Sequence, residues 1–300
     1  LWRNLFKHLR YDRAGDRMAN HVRPLPDTIW PVPGWRSDVS VLRIGVRELR
    51  EQSIYFRRHP VEAVEYLLAK RELAAACTDD PAQFLEALGL DPDAALEGFR
   101  AWQPILEETQ TRGVTWQGWR TGLNLPTGAA IYGICRALKP RTVIETGIAS
   151  GVSSAFIGAA LLDNGSGELV SIELPPQEAA ALYAQYGGQP YDDSVVAGWA
   201  IPEQIRSGLG SRHRIVLEDV RTALPRLLKE LPGVDLFLHD DLHTVKHMSW
   251  EFELVWPRLA PGGMLVADDA GFAWTRFLRR IHGGPPINIE GTGAARRARS

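Results

Sequence analysis

The chain has 300 residues, 45% of them hydrophobic, with 34 basic side chains against 36 acidic ones and a net charge of −2. That length buries a full core, and the charge balance exerts no pull towards nucleic acid, so a nucleic-acid partner is not expected. Two cysteines, Cys77 and Cys135, are too few for a disulfide framework and show no metal spacing. With no apolar run near the roughly 18–20 residues that span a bilayer, the composition describes a soluble cytoplasmic protein without a membrane partner.

The opening LWRNLFKHLR places Leu1, Trp2, Leu5, Phe6 and Leu9 at helical spacing among basic residues. It lacks the cleavage site of a signal peptide and reads as a packing or dimer-forming helix in preference to a membrane-surface one. Residues 1–50 are Arg-rich and carry Pro24, Pro26, Pro31 and Pro33, an irregular arm. A helix is expected over 60–77, with Val61, Val64, Leu67, Leu68 and Leu73 on one side. Asp80-Pro81 and Asp91-Pro92 each set an Asp N-cap before a Pro at the first helical position, and Gly89 closes the first of these helices. Trp116, Trp119 and Arg120 belong either to an aromatic core or to the wall of a substrate pocket. Residues 1–124 thus form an N-terminal arm and a helical cap, lid or dimerisation region, followed by a second domain over 125–300.

From residue 125 strands and helices alternate. A helix over 127–138 leads to the strand RTVIET, and ELVSIE (168–173), RIVLED (214–219), VDLFLH (234–239) and GGMLVADD (262–269) follow as strands. Helices are expected between them over 153–162, 176–186, 202–207, 221–231 and 244–259. Strands apolar on both faces alternating with helices mean an α/β fold with a parallel, doubly wound Rossmann-like sheet. Ligands in such sheets bind at the carboxyl ends of the strands. The last segment, RRARS, reads as a disordered tail.

The first strand runs into Glu145-Thr146-Gly147-Ile148-Ala149-Ser150-Gly151-Val152-Ser153. Gly147 and Gly151 permit a tight turn and close backbone approach, but their spacing is not the dinucleotide fingerprint, which disfavours a nicotinamide oxidoreductase. Glu173 ends the second strand, where an acid can accept both hydroxyls of a ribose. The fourth strand ends His239-Asp240-Asp241-Leu242-His243 and the fifth Asp268-Asp269. Clustered carboxylates repel one another, and oxygen-rich ligands favour Mg²⁺, Ca²⁺ or Mn²⁺. The competing reading makes these acids helix caps: Asp240 or Asp241 before the helix at 244, and Asp269 before Phe272. A zinc stripe of His239, His243 and His247 is disfavoured because His239 belongs to a strand, and His247 reads as a partly buried helix histidine.

ETGIASGVSS and the pair HDDLH…GGMLVADD resemble the class I S-adenosylmethionine-dependent methyltransferases over roughly residues 125–270. Within that class they are similar to the metal-dependent catechol-type and macrolide-sugar O-methyltransferases. The resemblance implies that Glu145, Gly147, Gly151 and Ser153 form the methionine-side loop and that Glu173 holds the ribose. It sets Asp219 near the adenine, Asp241 against the cofactor or beside the base, and Thr127-Gly128 over the cofactor. It implies Asp240, Asp268 and Asp269 as Mg²⁺ ligands, with Asp240 and His243 the catalytic pair. His243 stands where catechol-type enzymes have Lys and sugar-modifying relatives His, and Asp269 stands where catechol-type enzymes have Asn. Only about thirty residues follow the fifth strand, so the family's last strands are expected to be short or rearranged.

The implied activity is transfer of a methyl group to a hydroxyl of a small molecule, of sugar or polyketide type, in natural-product assembly. A metal-independent O- or N-methyltransferase with His243 as base, or a non-catalytic cofactor-binding protein, are the alternatives.

Overall fold

A computed structural model describes residues 68–69, 71–114, 123–179, 196–284 and 286–299. The expectations for 1–67, for Trp116, Trp119 and Arg120, and for the helix beyond residue 179 lie outside these. The described elements are β1 (Cys77–Thr78), α1 (Pro81–Ala87), α2 (Pro92–Leu96), α3 (Phe99–Val114), α4 (Leu125–Leu138) and β2 (Thr142–Thr146). They continue with α5 (Val152–Asp163), β3 (Glu168–Glu173), α6 (Glu203–Leu209), β4 (His213–Leu217), α7 (Val220–Glu230) and β5 (Val234–His239). Last come α8 (Val245–Val255), β6 (Leu259–Ala267), α9 (Phe272–Arg280), β7 (Asn288–Ile289) and β8 (Thr292–Arg296).

The strands make one sheet of order β1-β7-β8-β6-β5-β2-β3-β4. The five strands from β6 to β4 are parallel, and β8 is antiparallel to both its neighbours. This is the expected α/β sheet, with strand order reversing between β2 and β5. Side chains alternate between two apolar faces: Val143, Leu236, Leu238 and Val266 pack with α4 and α5, while Ile144, Phe237 and Leu265 pack with α7, α8 and α9. Phe84, Leu85 and Leu106 of the N-terminal helices join the first face. Helices α4 and α5 are buried nearly all round. Small residues let them approach, since a Cβ on Gly128 would fall 2.3 Å from the Phe156 ring.

The caps behave as the sequence chemistry requires. Asp80 and Asp91 accept from the backbone N–H groups of Ala82 and Asp93 at 2.8 and 3.1 Å, and Gly89 adopts a positive φ after the first of these helices.

Several expectations are corrected. Cys77 ends no helix: Cys77–Thr78 pairs with Asn288–Ile289 at the sheet edge, so the N-terminal region supplies a strand. The third parallel strand stops at Leu217, because Asp219 turns away to cap α7 through the Arg221 N–H. The helix from 245 ends at Val255, and a 3₁₀ turn delivers the chain to β6 at Leu259. The RRARS segment is structured over its described residues. Arg296 ends β8, and the Arg297 backbone N–H donates to the Gly263 carbonyl at 2.8 Å, with its side chain on the Pro257 carbonyl at 2.9 Å. The expectation of short last strands holds, with two residues in β7 and five in β8.

Candidate active site

The turn after β2 is built around glycine. Gly147 has φ +82°, and a Cβ there would lie 2.2 Å from the Asp240 carbonyl oxygen, so only glycine lets the turn meet the end of β5. The contact is pinned by the Asp240 N–H, which donates to the Thr146 carbonyl at 3.0 Å. Gly151, at φ +90°, is packed against Gly198 and Ile201, whose segment bonds the turn through Gly198 N–H to Ala149 and Ala200 N–H to Ser150.

Two acids flank this turn. Glu145 is fully buried and accepts from the hydroxyls of Ser153, Ser154 and Ser171. Burial pushes its carboxyl up, and the three hydroxyls oppose that. Glu173 accepts from the Ala149 N–H at 2.6 Å and the Leu174 N–H at 2.9 Å. Burial drives Glu173 up to about 7 against those two donors, with Asp241 and Glu145 adding to the rise.

The acids at the ends of β5 and β6 are not caps. Thr244 caps α8, accepting from the His247 N–H at 3.1 Å, and α9 begins after Gly271 with no side-chain cap. Asp240, His243 and Asp268 instead bring one ligand atom each within 4.8 Å of one another. Asp240 is pushed well above the ordinary carboxylate range, first by burial and then by Asp268, Glu145 and Asp269. Asp268 is held by the Thr292 hydroxyl, which donates to it at 2.7 Å from β8. Asp269 has a positive φ of 49°, and its Oδ2 lies 3.5 Å from His243 Nδ1, while His243 Nε2 lies 3.7 Å from Asp240. The carboxylates of this group suit a hard divalent cation, and two crowded carboxylates gain from one.

The family model of a methyltransferase domain matches residues 144–270, from inside β2 to the turn after Asp269. The segment that carries the glycine turn and the acids at the ends of β5 and β6 is thus similar to a methyltransferase domain. Among curated proteins none matches the sequence. The SAH-bound methyltransferase PaMTH1 of Podospora anserina is 16% identical, with 67% of this chain and 88% of that one covered and a TM-score of 0.47. The O-methyltransferase from Bacillus cereus in complex with SAH is 14% identical over 76% and 100% of the chains, with a TM-score of 0.44. TomG from Streptomyces achromogenes, involved in tomaymycin synthesis and solved with SAM, is 16% identical over 77% and 99%, with a TM-score of 0.43. At these scores the likeness is one of outline, and the fold assignment rests on the strand order.

The predicted site residues fall into separate groups. Glu145, Gly147, Gly151, Ser153 and Glu173 surround the β2 turn, and Asp240, His243, Asp268 and Asp269 gather at the ends of β5 and β6. Thr127 and Gly128 lie in the first turns of α4, the first with its hydroxyl 3.5 Å from the Ile289 carbonyl. Asp219 is occupied by Arg221 at 2.6 Å. Asp241 has other partners, bonding His247 at 2.9 Å and lying 3.2 Å from His239.

Sequence reasoning missed Glu251 of α8. It is fully buried and binds His239 Nδ1 at 2.6 Å. A signal existed: His247, Glu251 and Val255 recur every four residues, and a Glu in that row lies on the buried face. Burial works against a charged His239, but Glu251 and Asp241 outweigh it and hold the ring up at about 9. His247 is likewise raised to about 10, burial being outweighed by Asp241 and Glu251.

Proposed function

We propose that the chain is an S-adenosylmethionine-dependent O-methyltransferase, assisted by Mg²⁺ or another divalent cation, acting on a hydroxyl of a small sugar- or polyketide-type molecule in natural-product assembly. The supporting observation is the meeting of Asp240, His243 and Asp268 beside the glycine turn, with none of them spent on a helix cap. Glu145, Gly147, Gly151, Ser153 and Glu173 would hold the methyl donor, with Glu173 accepting from ribose hydroxyls. Asp240 and Asp268, with Asp269 beside them, would hold the cation.

When bound, the donor supplies a sulfonium methyl group and the cation supplies charge that acidifies a hydroxyl. Asp269 faces His243 Nδ1, which leaves Nε2 to accept the substrate proton. The buried turn at Gly147 and Asp240 fixes these groups relative to one another, so that positioning is set before the substrate arrives.

A second reading uses His243 as base without a metal, and the His243–Asp269 pairing favours it. Turnover of an EDTA-treated sample against Mg²⁺ separates the two. Asp268→Ala should abolish the metal stimulation while SAH binding persists, and turnover equal to wild type would refute the metal-assisted reading.

A further inference from the structure

Behind the candidate active site, on the face covered by α8, lies a second ionisable group that methyl transfer does not use. His239 ends β5, Asp241 lies in the following turn, and His247 and Glu251 come from successive turns of α8. The four close a ring. His239 Nδ1 is 2.6 Å from Glu251 Oε2 and 3.2 Å from Asp241 Oδ1. His247 Nε2 is 2.9 Å from Asp241 Oδ2 and 3.5 Å from Glu251 Oε1.

Each ring nitrogen therefore faces one oxygen from each carboxylate, yet carries at most one proton. Two N–H groups cannot serve four oxygens. The shortfall falls on Asp241 Oδ1 and Glu251 Oε1, which are buried without a hydrogen-bond donor among the described residues. The Thr146 hydroxyl donates to Glu251 Oε2 at 3.2 Å and leaves Oε1 as it was. A buried carboxylate oxygen lacking a donor is costly, and Glu251 has no exposure through which water would relieve it.

We propose that His239, Asp241, His247 and Glu251 form a structural site for a zinc-type divalent cation, separate from Asp240, His243 and Asp268. Two imidazoles and two carboxylates are a zinc donor set, and imidazole nitrogen disfavours Mg²⁺ and Ca²⁺. His239, Asp241 and Glu251 bring one ligand atom each within 4.8 Å of one another, and His247 reaches both carboxylates from the preceding turn of α8, so all four ligands would come from the protein, as in a closed site. The ion would clamp the end of β5 to α8, and the turn between them carries Asp240 and His243. Of the three histidines spaced by four, the ring centroid of His239 lies 5.3 Å from that of His243 and 6.2 Å from that of His247, but only the outer two face Asp241 and Glu251, while His243 faces Asp240 and Asp269. The inference does not depend on the methyl-transfer reading.

The test uses the full chain, stripped with a strong chelator and then titrated with Zn²⁺, or with Co²⁺ followed by its visible ligand-field absorption. We expect about one tightly held ion per chain and a rise in melting temperature on adding Zn²⁺. Asp268→Ala should keep both, whereas Glu251→Gln and His247→Gln should lose both. His247 is partly exposed, so His247→Gln preserves a folded comparison, verified by circular dichroism. A folded wild type that holds no Zn²⁺ or Co²⁺ would overturn the proposal and make the ring a pair of imidazolium–carboxylate bridges. Loss of the ion in Asp268→Ala, or its full retention in His247→Gln, would overturn it equally.

Discussion

Asp240 is the residue on which the site turns. Its carboxyl is largely buried, faces Asp268 and Asp269, and is driven upward by all three circumstances. A group so placed either keeps its proton or takes a cation, and only the second leaves it useful for binding an acidified hydroxyl. His243 beside it has one nitrogen turned to Asp269 and the other buried with no hydrogen-bond partner among the described residues. His243→Ala should therefore lower the single-turnover rate by about 10²–10⁴-fold, the usual worth of a general base. Its SAH affinity should stay near wild type, and a matching loss of affinity would assign His243 to cofactor binding instead. Glu173 carries a pH prediction. If Glu173 holds the ribose as proposed, the hydroxyls would donate to its ionised form, so SAH affinity should fall as pH drops below about 7, the value to which burial raises this group. The free protein moves the other way. Because the folded pKa lies above the ordinary 4.5, the stability from Glu173 is present below pH 4.5 and is lost as pH rises towards about 7. Melting curves of Glu173→Gln across that window should lack this component of the slope.

Elements bring the site together through backbone contact more than through side chains. The β2 turn touches the β5 end at Gly147, where an added Cβ would lie 2.2 and 2.6 Å from the Asp240 carbonyl oxygen and carbon. Backbone cannot swing aside as a flexible side chain can. Gly147→Ala should cost about 1–3 kcal/mol by overpacking, with a further ~1 kcal/mol from its positive φ. It should also weaken SAH binding, and a wild-type melting temperature would show that the turn is looser than described. The five parallel strands were legible because each is a short apolar run between helical patterns, and the acids just after them stood out for that reason. What decided against capping was not legible. Thr244 and Asp240 are both competent caps, and only the path of the turn selects Thr244. The ring of His239, Asp241, His247 and Glu251 was hidden for a similar reason, since its members come from a strand, a turn and a helix that meet only in the fold.

At the scale of the whole molecule, distant segments of the described residues are stitched together. Asn288 of β7 is buried and donates to the Leu73 carbonyl at 2.8 Å, while its backbone N–H donates to the Ala76 carbonyl at 3.2 Å. Next to β7, β8 sends Thr292 to Asp268, so the hairpin of β7 and β8 links the Leu73–Thr78 segment to the acidic site. None of this was readable beforehand, because two-residue strands carry no periodicity and take their place from the pairing of distant segments. Asn288→Ala should cost about 1–3 kcal/mol, the penalty for leaving a buried polar group unpaired, and lower the melting temperature of one cooperative transition. Two separate transitions would mean that the region through β1 unfolds apart from the parallel strands.

The most direct test of the account is calorimetric titration of EDTA-treated protein with SAH, followed by Mg²⁺. Binding of SAH and a separate Mg²⁺ heat that disappears in Asp268→Ala is the predicted result. A demonstrably folded protein that binds no SAH would contradict the account.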